Sequence, residues 1–71
     1  MQERKRTGLL VQSVARAAQI INCFRTAREL GISEIAAEMD LNKSTVFGLV
    51  NTLVRYGYLE QTENKKYRLG I

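Results

Sequence analysis

Two helical patterns in this chain are separated by only three residues, Asp40-Leu41-Asn42, and that spacing constrains the fold more than any other feature. The first pattern opens with Ser33 as a side-chain cap and Glu34 in the first turn, where a negative charge suits the helix dipole. Ile35, Ala36 and Met39 form its apolar face. The second is capped by Asn42 and carries Val46, Leu49, Val50 and Leu53 on one stripe. It runs to about Tyr56, with Gly57 in the left-handed position past its end. A three-residue link is too short to be anything but a tight turn, so the two helices cross steeply. Asp40 is one of the few non-glycine types that tolerates a left-handed backbone there. Leu41 plugs the turn, and Ala36 is small where the second helix passes close by.

The flanking segments complete the unit. Ser13 is positioned to cap an earlier helix whose apolar stripe is Val14, Ala17, Ala18, Ile21 and Phe24, flanked by Ile20 and Cys23. Leu30 and Ile32 bracket Gly31 as a very short edge strand. After Gly57, Tyr58–Gln61 and Lys66–Leu69 read as strands joined by the polar turn Thr62-Glu63-Asn64-Lys65. Residues 1–10 lack any period and carry Arg4, Lys5 and Arg6, which reads as a flexible basic arm. The expected fold is mainly α with a small β-hairpin, a winged helix-turn-helix of three helices plus wing over residues 11–71.

Composition narrows the chemistry. The chain has 71 residues, no histidine, no tryptophan and a single cysteine, Cys23. That excludes Ser-His and Cys-His nucleophile pairs and zinc sites of the usual spacing. No catalytic residue, cofactor or metal site is expected, and the chain does not read as an enzyme. Cys23 reads as a small buried hydrophobe rather than a redox group. A lone cysteine forms no internal disulfide, and no apolar run approaches the roughly 20 residues that cross a bilayer. No signal-peptide pattern opens the chain. A cytoplasmic location without membrane association is the expectation.

Charge is segregated along the chain. Residues 1–28 hold six basic side chains against Glu3, residues 29–41 hold four acidic side chains and no base, and residues 42–71 hold five basic against two acidic. The net is +4, and the division suggests one positive and one negative face, with a polyanion as first partner. The third helix turns Lys43, Ser44, Thr45, Phe47, Gly48, Asn51 and Arg55 away from its apolar stripe. Lys43, Ser44, Thr45 and Asn51 suit phosphates and base edges in a major groove. Phe47 either packs on a thymine methyl or turns inward against the wing or first helix. Gly48 costs about 1 kcal/mol relative to alanine in mid-helix. It marks either a close approach to another backbone or base pair, or a site that tolerates glycine. Lys65, Lys66 and Arg68, at the tip and flank of the hairpin, are placed to reach phosphates or the minor groove, or form a solvated turn.

Several stretches together resemble the N-terminal DNA-binding domain of the IclR family of bacterial transcriptional regulators. They are Val11-Gln12-Ser13-Val14-Ala15-Arg16-Ala17, Ile32-Ser33-Glu34-Ile35-Ala36, Leu41-Asn42-Lys43-Ser44-Thr45-Val46, Leu53 through Gly57-Tyr58-Leu59, and Lys66-Tyr67-Arg68-Leu69-Gly70. The resemblance implies sequence-specific binding of double-stranded operator DNA, more often as a repressor, with the third helix in the major groove. Lys65 and Lys66 of the wing and the arm residues Arg4, Lys5 and Arg6 would add backbone or minor-groove contacts. It also implies a homodimer through the N-terminal region and first helix. A C-terminal domain that binds a small effector is expected beyond Ile71 and is absent from this chain. The family often has histidine or tyrosine followed by arginine where this chain has Phe47-Gly48, and glycine where it has Asp40. A second reading, from the residues themselves, is a protein-interaction module that uses the acidic second helix (Glu34, Glu38, Asp40) and Phe47.

Overall fold

A computed structural model describes residues 9–71. The arm residues Arg4, Lys5 and Arg6 lie outside the described residues. Helix α1 spans Gln12–Cys23, α2 Ile32–Met39 and α3 Lys43–Arg55, followed by strands β1 (Leu59–Gln61) and β2 (Tyr67–Leu69). The winged helix-turn-helix expected from the sequence is the fold observed.

The ends of α2 and α3 show why the turn between them is so tight. Asp40 sits at φ 56°, ψ 47°, in the left-handed region. The Leu41 N–H donates to the Ala36 carbonyl (3.0 Å) and the Asp40 N–H to that of Ala37 (3.3 Å). These two bonds close the last turn and reverse the chain. The same pair recurs after α3, where Gly57 has φ 85°. There Tyr58 N–H donates to Leu53 O (2.9 Å) and Gly57 N–H to Val54 O (3.0 Å). At the start of α3 the Asn42 side-chain oxygen accepts from the Thr45 N–H (2.8 Å) and the Ser44 hydroxyl (3.0 Å), the cap anticipated from its residue type.

The other two helix starts differ from expectation. Val11, not Ser13, is the cap of α1, and no side chain caps that end. Ser13 lies inside the first turn, because the helix begins ahead of its apolar stripe. Helix α2 is capped by Gly31 rather than Ser33. Gly31 has no side-chain oxygen to offer, so the cap works in one direction only. Glu34, three residues on, accepts the Gly31 N–H at 2.7 Å.

The core consists of Ile20, Phe24, Ile35, Ala36, Val46, Val50, Leu59 and Tyr67. Leu30, Met39, Leu41, Leu49 and Leu53 pack around it. The buried line of α1 is therefore Ile20 and Phe24, with Ile20 central rather than flanking. Val14 is 65% exposed, and Ala18 is exposed as well. The apolar arc of α1 is wider than α2, α3 and the hairpin can cover, so its N-terminal part remains open.

The strands pair antiparallel with Leu59 opposite Leu69, Glu60 opposite Arg68 and Gln61 opposite Tyr67. Leu59 and Tyr67 face the core, while Glu60 and Arg68 form an outer ion pair at 2.6 Å. Leu30 adds a one-residue strand on the far side of β2: its N–H donates to Tyr67 O (2.9 Å) and Tyr67 N–H donates to Leu30 O (2.8 Å). Ile32, the other half of the expected edge strand, starts α2 instead. Gly70 closes the base of the hairpin, where a Cβ would stand 2.9 Å from the Gly57 carbonyl oxygen.

Candidate nucleic-acid interface

Helix α3 buries Val46 and Val50, with Leu49 and Leu53 half-buried beside them. By helical geometry the opposite face is then outward. Lys43, Ser44, Phe47, Gly48 and Asn51 are exposed there, and Thr45 is half-buried at the edge. Phe47 is 51% exposed, so the inward alternative for its ring is not the one adopted. At Gly48 an added Cβ would meet nothing within 4 Å. No packing within the described residues calls for glycine at this position. The Thr52 hydroxyl donates to the Gly48 carbonyl at 2.8 Å, one turn along the same surface.

The wing residues divide into engaged and unengaged. Lys66 Nζ lies 3.5 Å from Glu34 Oε1, the oxygen that also receives the Gly31 N–H. The Gly31 N–H first, and Lys66 second, hold the Glu34 carboxyl below its ordinary range. Lys66 thus joins the wing to the start of α2. Arg68 is held by Glu60 across the strands, which raises its already high pKa. Lys65 is exposed at the tip, with φ 65°. Its N–H donates to Thr62 O (3.0 Å), Thr62 N–H donates to Lys66 O (2.8 Å), and Lys66 N–H donates to the Thr62 hydroxyl (3.2 Å). Glycine is the usual residue at the left-handed place in such a turn, and here it is a lysine. Among the described residues Lys65 has no acidic partner.

Two clefts separate α1 from α3. One, about 450 Å³, is ringed by Ser13, Arg16, Ser44 and Thr45 but exposes more apolar than polar surface, with Leu49 in its wall. The other, about 370 Å³, is apolar and lies between Val14 and Ala17 on one side and Leu49 and Leu53 on the other. Exposed Leu9, Leu10 and Val11 precede α1. The residue pattern did not single out Arg16, whose charge in sequence looks like any solvated helix charge. Its place in the first of these clefts depends on how α1 crosses α3, which no local signal records.

Cys23 is half-buried, and burial first, then nearby Glu38, push its thiol above the ordinary value. It is a packing residue with little thiolate character. Among the described residues no group of three or more histidine, cysteine, aspartate or glutamate side chains could hold a metal ion. No helix among them is long and apolar enough to cross a membrane.

Three helices with a steep two-helix turn and a hairpin packed against them define a winged helix-turn-helix domain. The family pattern for the IclR helix-turn-helix domain matches residues 13–63, and the chain belongs to that family. It is 48% identical over 64 residues to the HTH-type transcriptional regulator XynR of Escherichia coli, covering 87% of this chain and 25% of that one. It is 37% identical over 62 residues to the glycerol operon regulatory protein of Streptomyces coelicolor, covering 84% and 24%. Among solved structures, an IclR family transcriptional regulator from Brucella abortus superposes with a TM-score of 0.82 at 42% identity, over 87% of this chain and 25% of that one. The chain therefore spans about a quarter of the length of these relatives. The relatives are transcriptional regulators rather than enzymes.

Proposed function

We propose that this chain is the DNA-reading part of a transcriptional regulator, a repressor, that binds double-stranded operator DNA in a sequence-specific way. Helix α3 enters the major groove with Lys43, Ser44, Thr45, Phe47, Gly48 and Asn51, and the wing lies along the backbone or minor groove. The observation that carries this reading is the outward face of α3. It combines an exposed aromatic ring with a mid-helix glycine that the described packing does not require. Lys65 at the wing tip supplies a backbone contact, Lys66 acts beside Glu34, and Arg4, Lys5 and Arg6 add backbone or minor-groove contacts. Work in the cytoplasm follows from that role.

The open apolar strip of Leu9, Leu10, Val11 and Val14 supports a homodimer through the N-terminal region and first helix. A small-molecule effector belongs to the part of the relatives beyond the shared quarter. The competing protein-interaction reading loses part of its surface, because Glu34 is engaged by Gly31 and Lys66. The deciding experiment is selection of bound duplexes from a random library. Enriched sites, with half-site spacing set by the dimer, are expected; no enrichment would refute direct base readout by α3. Lys43→Ala separates the two readings, since it weakens DNA binding and leaves a protein contact through α2 intact.

A further inference from the structure

Lys43, Phe47, Asn51 and Arg55 recur at every fourth residue of α3, and all are exposed. Residues at that spacing are neighbours on a helix surface, so the four form one ridge. Its ends are cationic and its middle is neutral. Lys43 and Arg55 are the first and last residues of the helix, and neither is in an ion pair among the described residues. They stand about 18 Å apart along the helix axis. That span exceeds the width of a major groove, about 12 Å, so the two cations reach phosphates while Phe47 and Asn51 lie over the bases.

The chemistry of that middle selects among base pairs. The Ser44 hydroxyl already donates to the Asn42 side chain (3.0 Å) and the Thr52 hydroxyl to the Gly48 carbonyl (2.8 Å). The Asn51 amide makes no hydrogen bond among the described residues, so its donor and its acceptor are both free. An amide in that state matches the N6 and N7 edge of adenine, and an apolar ring such as Phe47 matches the methyl group of thymine. Guanine is read by arginine or lysine and cytosine by a carboxylate. The middle of the ridge has no cation, and α3 has no carboxylate at all. We infer that the centre of the half-site is A·T: a thymine whose methyl packs on Phe47 and an adenine held by Asn51. The two residues are separated by about 6 Å of helix, so these bases lie about two base pairs apart. The inference rests on the DNA-binding reading above and names the bases it selects. It belongs to this chain's own Phe47-Gly48 pair, which departs from the pair the family often carries.

The test edits the DNA rather than the protein, so it does not depend on a variant folding. Fluorescence anisotropy of the 71-residue chain is measured on the duplex enriched by library selection. Each thymine is replaced in turn by deoxyuridine, which lacks the methyl group, and each adenine by 7-deaza-deoxyadenosine, which lacks the N7 acceptor. At one thymine per half-site, deoxyuridine is expected to weaken binding about fourfold, the worth of one buried methyl group. At an adenine about two base pairs away, the deaza base weakens it about two- to tenfold, the worth of one hydrogen bond. Phe47→Ala loses the response to deoxyuridine and keeps the other, while Asn51→Ala does the reverse; thermal melts establish that both are folded. Affinity unmoved by deoxyuridine at every thymine, or by the deaza base at every adenine, overturns the inference and leaves the DNA reading standing. So does a half-site whose centre requires G·C, or a response that persists in the folded variants. A selection that enriches no site overturns both.

Discussion

Replacing Gly48 by alanine separates what the domain needs to fold from what it needs to bind. Gly48 is the sixth of the 13 residues of α3, inside the helix and away from both caps. Its added Cβ meets no atom within 4 Å, so no steric cost offsets the gain in helix propensity. The Thr52 hydroxyl bond to the Gly48 carbonyl involves only backbone at that position and survives the change. The expected result is a stabilisation of about 1 kcal/mol. For a domain of this size that raises Tm by about 4–8 °C. Against DNA the sign reverses. If the backbone at Gly48 approaches the duplex closely, the new methyl group overpacks the interface at about 1–3 kcal/mol, which weakens binding about fivefold or more. Thermal melts by circular dichroism and anisotropy titrations on an enriched site read the two effects separately. A lowered Tm would contradict the open space around Gly48, and a raised Tm with undiminished affinity would refute the close approach.

Three further outcomes follow from the same geometry. Gly70→Ala places a Cβ 2.9 Å from the Gly57 carbonyl oxygen, a backbone atom with no rotamer to yield, and destabilises by about 1–3 kcal/mol in urea melts. Asn42→Ala removes the acceptor for the Thr45 N–H and costs about 1 kcal/mol, whereas Asn42→Asp, which keeps an acceptor, costs less. The Glu34 carboxyl titrates below its ordinary range, because the Gly31 N–H and then Lys66 favour its charged form. Its contribution to stability is therefore present above the unfolded-state carboxylate pKa and lost as pH falls through the depressed folded value. Denaturant titrations across the acid range test this: Glu34→Gln flattens the acid limb of stability against pH, and an unchanged limb counts against the Gly31 and Lys66 contacts.

Local chemistry made much of the fold legible. Asn42, Asp40 and Gly57 each occupy the backbone state their residue type favours, so the turn and both ends of α3 could be read from single residues. The hairpin was equally visible, since its polar turn separates two β-prone runs. Ser13 and Ser33 misled because a good capping side chain signals a helix start only when nothing upstream has already begun it. At α2 the capping oxygen comes from Glu34 inside the helix instead. Ile20 was hidden for a different reason. The apolar arc of α1 has more members than the small domain can bury, and the choice among them is made by crossing geometry. The candidate interface divides in the same way: the outward face of α3 follows from periodicity, while the pairing of Lys66 with Glu34 and the setting of Arg16 arise only when distant segments meet.

The pairing of Leu30 with Tyr67 has a further effect on recognition. It fastens the wing, through β2, to the residue just before the cap of α2, and the Lys66–Glu34 bridge adds a second fastening nearby. The span between wing base and α3 is thereby fixed during folding rather than at the moment of docking. A rigid two-pronged body loses little conformational entropy when it meets a duplex. On the DNA-binding reading proposed above, such a body would best fit duplexes whose groove separation matches its own, and the wing would then gauge DNA shape as well as touch its backbone.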